Sequence, residues 1–164
     1  MARKPDPTHC WLVWMKAHEA AVGYLLRGIE ETAISFTDFR ILEVLLHKGP
    51  LPVNTIGPKV NLTPGSISVA VDRLLERGLV SRVESPEDRR VRMVALTKNG
   101  NDLIAPIFRK HAAEIAKVFS DASPKELEIL ETVLKKTGKR AESLGTGAKP
   151  LGEAQKNRIG ARTS

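Results

Sequence analysis

The sequence predicts a mainly α-helical chain that carries one small β-hairpin. Three observations predict it. Apolar residues recur at helical spacing in several stretches between about residues 9 and 144. The period changes to two over residues 80–84 and 91–95, either side of Ser85-Pro86-Glu87-Asp88, a turn with proline at a favoured position. Aromatic residues are only 4% of the chain, so its core must be aliphatic.

The elements follow in order. Residues 1–8 read as a basic, proline-containing mobile lead. A first helix spans about 9–30, with Trp11, Trp14, Met15, His18, Val22, Leu25, Leu26 and Ile29 along one wide stripe. That width exceeds what a surface helix of a monomer needs, and two tryptophans near the start point to a partner. Ser35 opens the second helix, with Asp38 completing a partial capping box, and Gly49-Pro50 ends it. Residues 51–53 suit an edge strand at most. Asn54 caps a short third helix over about 55–60, distorted or partly 3₁₀ because Pro58 lacks the N–H that would bond the Asn54 carbonyl.

The fourth helix has a marked start and stop. Thr63 is a good N-cap, and Pro64 stands at N1, where its missing N–H costs nothing. Ile67, Ala70, Val71, Leu74 and Leu75 form one apolar face, and Gly78 closes the helix with Leu79 folding back. The opposite face carries Gly65, Val69, Asp72, Arg73 and Glu76, with Ser66 on its flank. Its N-terminal end is small and uncharged, so it can approach another surface closely. The hairpin follows, with Arg89, Arg90 and Arg92 at or just beyond its tip. Thr97 caps a fifth helix to about residue 119, kinked by Pro106. Ser123-Pro124-Lys125-Glu126 is a full capping box opening a sixth helix to about residue 144. Residues 145–164 hold too few apolar groups to fold alone and read as a flexible tail.

A small-faced helix followed by an arginine-tipped hairpin is a winged helix-turn-helix, placed here over about 35–97. The helix suits a major groove, and the tip suits phosphates or a minor groove. The net charge of +7 and pI near 9.8 suit a polyanion without choosing among DNA, RNA and membrane surface. No apolar run approaches the ~18 residues that span a bilayer. No signal-peptide core follows the charged start, so the expected location is cytoplasmic. One cysteine excludes an internal disulfide framework and a Cys-based zinc motif, and the four histidines lack metal-ligand spacing. No Gly-rich phosphate loop, carboxylate pair or nucleophile–base arrangement argues for an enzyme, and no cofactor is expected.

In order and without a gap, L-T-P-G-S-I-S-V-A-V-D-R-L-x-x-R-G-L-V and S-P-E-D-R-R-V-R-M-V-A-L-T-K-N-G resemble the multiple-antibiotic-resistance regulator (MarR) family. The resemblance extends over roughly residues 10–144. It implies a homodimer on double-stranded DNA, with the first, fifth and sixth helices forming the dimer interface. It also implies that Arg90 enters the minor groove while Asp88 braces the wing, a reasonable role because a narrow minor groove attracts arginine. The stretch P-V-N-T-I-G-x-K-V-x-L-T-x-G-S-I resembles a branch that responds to quinones or phenolics.

Base-edge candidates are Gly65, Ser66, Ser68, Val69 and Arg73. Phosphate candidates are Asn54, Lys59, Thr63, Arg82, Arg89 and Arg92. Asp72 and Glu76 read as a solvated face. The resemblance further implies a small aromatic or phenolic effector, for which Trp11, Trp14, His18, Phe36, Phe39, Arg40 and His111 are pocket candidates, although the same residues make an ordinary core. One branch of the family senses hydroperoxides through a cysteine near the start of the first helix. Cys10 has that position, yet its tyrosine partners reduce to Tyr24, so a buried or idle thiol is the better reading. The leading expectation is a sequence-specific homodimeric repressor released by a small ligand or oxidant. The alternative is a winged-helix module for non-specific nucleic-acid or protein binding.

Overall fold

The computed structural model describes residues 6–84 and 92–145, apart from the Arg92 side chain. Its elements are α1 (Pro7–Glu30), α2 (Phe36–Lys48), β1 (Leu51–Pro52), α3 (Val53–Lys59), α4 (Pro64–Glu76), β2 (Val80–Glu84), β3 (Arg92–Leu96), α5 (Lys98–Val118) and α6 (Pro124–Leu144). The strands form one antiparallel sheet in the order β1-β3-β2. The hairpin expected from the sequence is therefore joined by a third strand. Leu51 and Pro52 pair with Val94 and Met93 at the free edge of β3, and a proline is tolerated at such an edge.

Helix ends follow local chemistry. Helix α1 starts two residues earlier than the apolar stripe suggests. Asp6 is its N-cap, accepting from the Thr8 and His9 N–H groups at 3.2 Å, and Pro7 takes N1. Helix α3 also differs from expectation. Pro52 precedes it, no side chain caps it, and Asn54 lies inside the helix rather than at its cap. Pro58 is accommodated within an α-helix so short that the lost bond falls near its start. The distortion appears at the exit, where Val60 N–H is shared between the Ile56 and Gly57 carbonyls and Asn61 turns left-handed at φ 54°. At α6 the full capping box is present: the Ser123 hydroxyl accepts from Glu126 N–H, and the Glu126 carboxylate accepts from Ser123 N–H at 2.9 Å.

The core gathers α2, α3, α4 and the sheet around Phe39, Ile41, Leu42, Ile56, Ile67 and Leu74, with Ile29 from α1 and Ile104 from α5. Helix α5 is seated through a close backbone contact. Leu79 O accepts from Thr97 N–H at 3.1 Å, and the Thr97 hydroxyl donates to Gly78 O at 2.7 Å. A Cβ on Gly100 would lie 1.9 Å from Leu79 O, so only glycine lets α5 reach this position. Replacing Gly100 by alanine should cost about 1–3 kcal/mol, as overpacking does, and lower the melting temperature by roughly 2–4 °C per kcal/mol. An unchanged melt by circular dichroism would mean the approach is not this tight in solution.

Helices α1 and α5 are also bridged by polar groups. The Tyr24 hydroxyl donates to Glu114, which also accepts from Lys117 at 2.7 Å. The hydrogen bond to Glu114 raises the Tyr24 pKa above its ordinary 10.0. Lys117 first, then Tyr24, lower that of Glu114 below 4.5. A raised phenol stabilises the fold below its unfolded value and loses that effect as pH rises through the folded value. A lowered carboxyl does the reverse, losing its effect as pH falls. The melting-temperature gap between wild type and Tyr24→Phe should thus be open at pH 7 and close as pH drops below about 4; a gap of constant size across that range would argue against the bridge.

Candidate nucleic-acid interface

Helix α4 has one buried face and one bare face. Ile67, Ala70, Val71 and Leu74 are buried, while Val69 is 65% exposed and Gly65 is open to solvent, with nothing within 4 Å of where its Cβ would be. Its start is held by Thr63, whose hydroxyl accepts from Ser66 N–H at 3.2 Å and donates to Ser66 Oγ at 2.9 Å. The Ser66 hydroxyl keeps a proton to donate outward. Ser68 is exposed and donates to Pro64 O at 3.0 Å, which turns its hydroxyl back along the helix. At the other end, Gly78 adopts φ 64°, its N–H bonds Leu75 O, and Leu79 N–H bonds Leu74 O. These two bonds satisfy the carbonyls of the last turn and aim the chain into β2.

Arg73, a candidate from this face, is engaged inside the protein, as is Arg77 one turn further on. Arg73 Nη2 donates to Asp38 Oδ1 at 2.5 Å, and Arg77 donates to Asp38 Oδ2 at 3.5 Å and to Ala33 O at 3.0 Å. Asp38 is only 2% exposed, whereas the Arg73 side chain is 44% exposed. The sequence reading of Asp38 as half of a capping box holds only for its N–H, which bonds Ser35 Oγ at 3.1 Å; its carboxylate is the anchor of α4. The hydrogen bond to Asp38 raises the Arg73 pKa further, so its guanidinium stays charged. Asp72, read as a solvated residue, accepts from Arg82 of β2 at 2.7 Å. Both members of that pair are more than half exposed. Its stabilising effect is therefore small, and its consequence is to tie the strand to the helix.

Asn54 and Thr63 border the start of α4. Lys59 ends α3, and its carbonyl accepts from Arg40 at 3.5 Å. A cleft of about 380 Å³ with a mainly apolar lining lies between α3 and the start of α4, bordered by Asn54, Pro58, Leu62 and Thr63. Arg92 stands in β3 opposite Glu84. Asp88, Arg89 and Arg90 lie outside the described residues. The sequence reading missed Asp38, Arg77 and Gly100. The Arg73–Arg77 spacing of one helical turn was visible; their shared partner 35 or more residues away was not.

The effector candidates do not meet in one pocket. Trp11 and Trp14 pack edge to face at 5.2 Å on the exposed start of α1, and His18 is exposed as well. Phe36 lies under Arg40 at 5.8 Å. Phe39 is buried and meets His111 edge-on at 4.9 Å. The small cavity beside His111, between α1 and α5, is about 10 Å³, below the size of an aromatic acid. Cys10 is exposed in the first turn of α1, with its N–H on the Asp6 carbonyl. Tyr24 lies roughly 21 Å further along the same helix at 1.5 Å per residue and is bonded to Glu114. The described residues hold no group of three or more potential metal ligands, and none of their helices is long and apolar enough to cross a membrane.

Because Thr63 supplies the cap of α4, Thr63→Ala should lower stability by about 1 kcal/mol. A denaturant titration should show the midpoint moving with an unchanged slope; an unmoved midpoint would mean the cap contributes nothing.

A model of the MarR family matches residues 34–91, from the turn before α2 into the segment after β2. The chain is 36% identical over 132 residues to the HTH-type transcriptional regulator MhqR of Bacillus subtilis (strain 168), covering 80% of this chain and 91% of that protein. It is 32% identical to the uncharacterised HTH-type regulator YkoM of the same organism, covering 80% and 86%. Among solved structures, AbsC, a MarR family transcriptional regulator from Streptomyces coelicolor, matches with a TM-score of 0.73 at 19% identity, covering 87% of this chain and 99% of that one. BpsR of Bordetella bronchiseptica, whose DNA binding is regulated by 6-hydroxynicotinic acid, matches at 0.65 and 20% identity, covering 81% and 93%. At these identities the structures show a shared fold, and the sequence relatives carry the family. With a helix-turn-helix whose second helix is bare on its outer face, the chain belongs to the MarR family of DNA-binding transcriptional regulators.

Proposed function

We propose that the chain is a homodimeric repressor that reads a pseudo-palindromic operator and is released from it by a small aromatic or phenolic ligand. The observation that carries the reading is the one-sided burial of α4, whose first two turns present Gly65, Ser66 and Val69 to the outside. A helix with small residues there can enter a major groove. The Ser66 hydroxyl can meet either a donor or an acceptor on a base, and Val69 can pack on a thymine methyl. Lys59, Arg82 and the residues of the wing tip, Arg89, Arg90 and Arg92, take phosphate and minor-groove roles, with Asp88 as brace. Asn54 and Thr63 add neutral phosphate contacts.

The dimer rests on faces that one protomer leaves uncovered. No residue of α6 is buried, and Leu127, Ile129, Leu130, Val133 and Leu134 are all exposed. Trp11, Leu12, Trp14 and Met15 of α1 are equally open. An apolar surface of this extent marks an interaction site, and a two-fold pairing would place two α4 helices about 34–36 Å apart, one turn of DNA. The effector reading is supported by the ligand named for BpsR. A ligand that favours a different spacing of the α4 helices would shift the population away from the DNA-bound form. Such work is done in the cytoplasm.

The test is fluorescence anisotropy on duplex from the DNA upstream of the chain's own reading frame, against a scrambled duplex, with oligomeric state followed by sedimentation. Preference for the native duplex should be at least a hundredfold. Affinity should fall about a thousandfold between roughly 50 and 200 mM salt. Gly65→Ala meets no neighbour and should leave stability within about 1 kcal/mol, while weakening operator binding at least tenfold by blocking close approach. Equal affinity for both duplexes would return the chain to a non-specific winged-helix module, and a monomer at micromolar concentration would remove the palindrome.

A further inference from the structure

We propose that Asp38 is a positioning residue for sequence discrimination, acting through Arg73. This rests on the reading of α4 as the base-contacting helix. Asp38 stands on α2, away from the bare face of α4, and no DNA contact is assigned to it. It is nevertheless the buried end of an ion pair whose other end lies on that face.

Val69, Asp72, Arg73 and Glu76 share the outer side of α4 at helical spacing. Arg73 is one turn beyond Val69, so an arginine free to swing would sweep across the groove that Val69 enters. Asp38 removes that freedom, with one carboxylate oxygen on Arg73 at 2.5 Å and the other on Arg77 at 3.5 Å. Arg77 is anchored again on Ala33 O. The neighbouring residue, Asp72, is tied to Arg82 of β2. Consecutive residues of α4 are thus bound to two different elements, α2 and β2, which opposes rotation of the helix about its axis. A rotation of that kind would exchange the residues facing the bases without unfolding anything. The outward N–H groups of Arg73, with the side chain still 44% exposed, are presented at one fixed place. An arginine held this way discriminates between bases or phosphates by position. A loose one binds any phosphate within reach.

The experiment is a double-mutant cycle on the ratio of operator to scrambled-duplex affinity, using Asp38→Asn, Arg73→Gln and both together in the full-length chain, with melting temperatures measured alongside. Asp38→Asn should lower the ratio about tenfold while leaving or raising affinity for scrambled DNA. It should also steepen the salt dependence by about one phosphate's worth, because a freed guanidinium finds a phosphate. The double variant should lose no more than Arg73→Gln alone, since Asp38 acts through that side chain. A wild-type ratio in Asp38→Asn overturns the proposal, as does an equal loss on both duplexes, which is what a purely structural role predicts. If Asp38→Asn is too unstable to measure, Arg73→Gln and the double variant decide: equal ratios support the proposal, and a further tenfold fall overturns it. Should the wild type itself show no preference, the base-reading assignment of α4 fails instead, a separate outcome.

Discussion

Helix α4 must be held firmly from one side only. Its apolar stripe of Ile67, Ala70, Val71 and Leu74 is buried to 3% exposure or less, and Gly65 and Val69 on the other side are exposed. A helix presented this way cannot be steadied by packing all round. The structure replaces the missing half with polar contacts at its margins: a hydroxyl cap at Thr63, a glycine exit at Gly78, and ion pairs to Asp38 and Arg82. Each satisfies a group that would otherwise need water, so the bare face stays available to a partner.

Besides the packing of Ile29 and Ile104 in the core, the winged unit meets α5 through one close peptide contact. The Leu79 carbonyl accepts from Thr97 N–H, and Gly100 passes beneath it with no side chain. The end of α4, the start of β2 and the start of α5 are therefore in van der Waals register with one another. A displacement of α5 relative to the core would be felt at the exit of α4 through this contact. Packed cores and close backbone contacts transmit such displacements because they have little room to deform.

The long helices leave apolar faces uncovered. The second half of α1 packs on α2 and α5 and buries Ile29, but its first half holds Trp11 and Trp14 against each other in the open. Helix α6 carries a leucine-rich stripe and buries nothing. Their capping chemistry is complete, with Asp6 at one and the Ser123–Glu126 box at the other, so these are well-formed helices that lack a surface to lie on. These exposed stripes are the faces on which the proposed dimer would rest.

Local patterns were sufficient for the helix count, the caps at Ser35, Thr63, Thr97 and Ser123, the glycine exit at Gly78, and the bare face of α4. Those features depend on residues within four or five positions of each other, where spacing alone sets which groups can meet. The start of α3 was misplaced because it depends on a distant segment: Asn54 is a better cap than Pro52 by type, but β1 pairs with β3 across the sheet and the helix starts two residues earlier. Only the tertiary structure decided that Asp38 faces Arg73 and Arg77, that Asp72 meets Arg82, that Gly100 lies under Leu79, and that the effector candidates are spread over three places. Charge and size tell what a side chain is able to bind. Which partner it finds depends on where distant segments are brought by packing, and that distance is not written in any local run of residues.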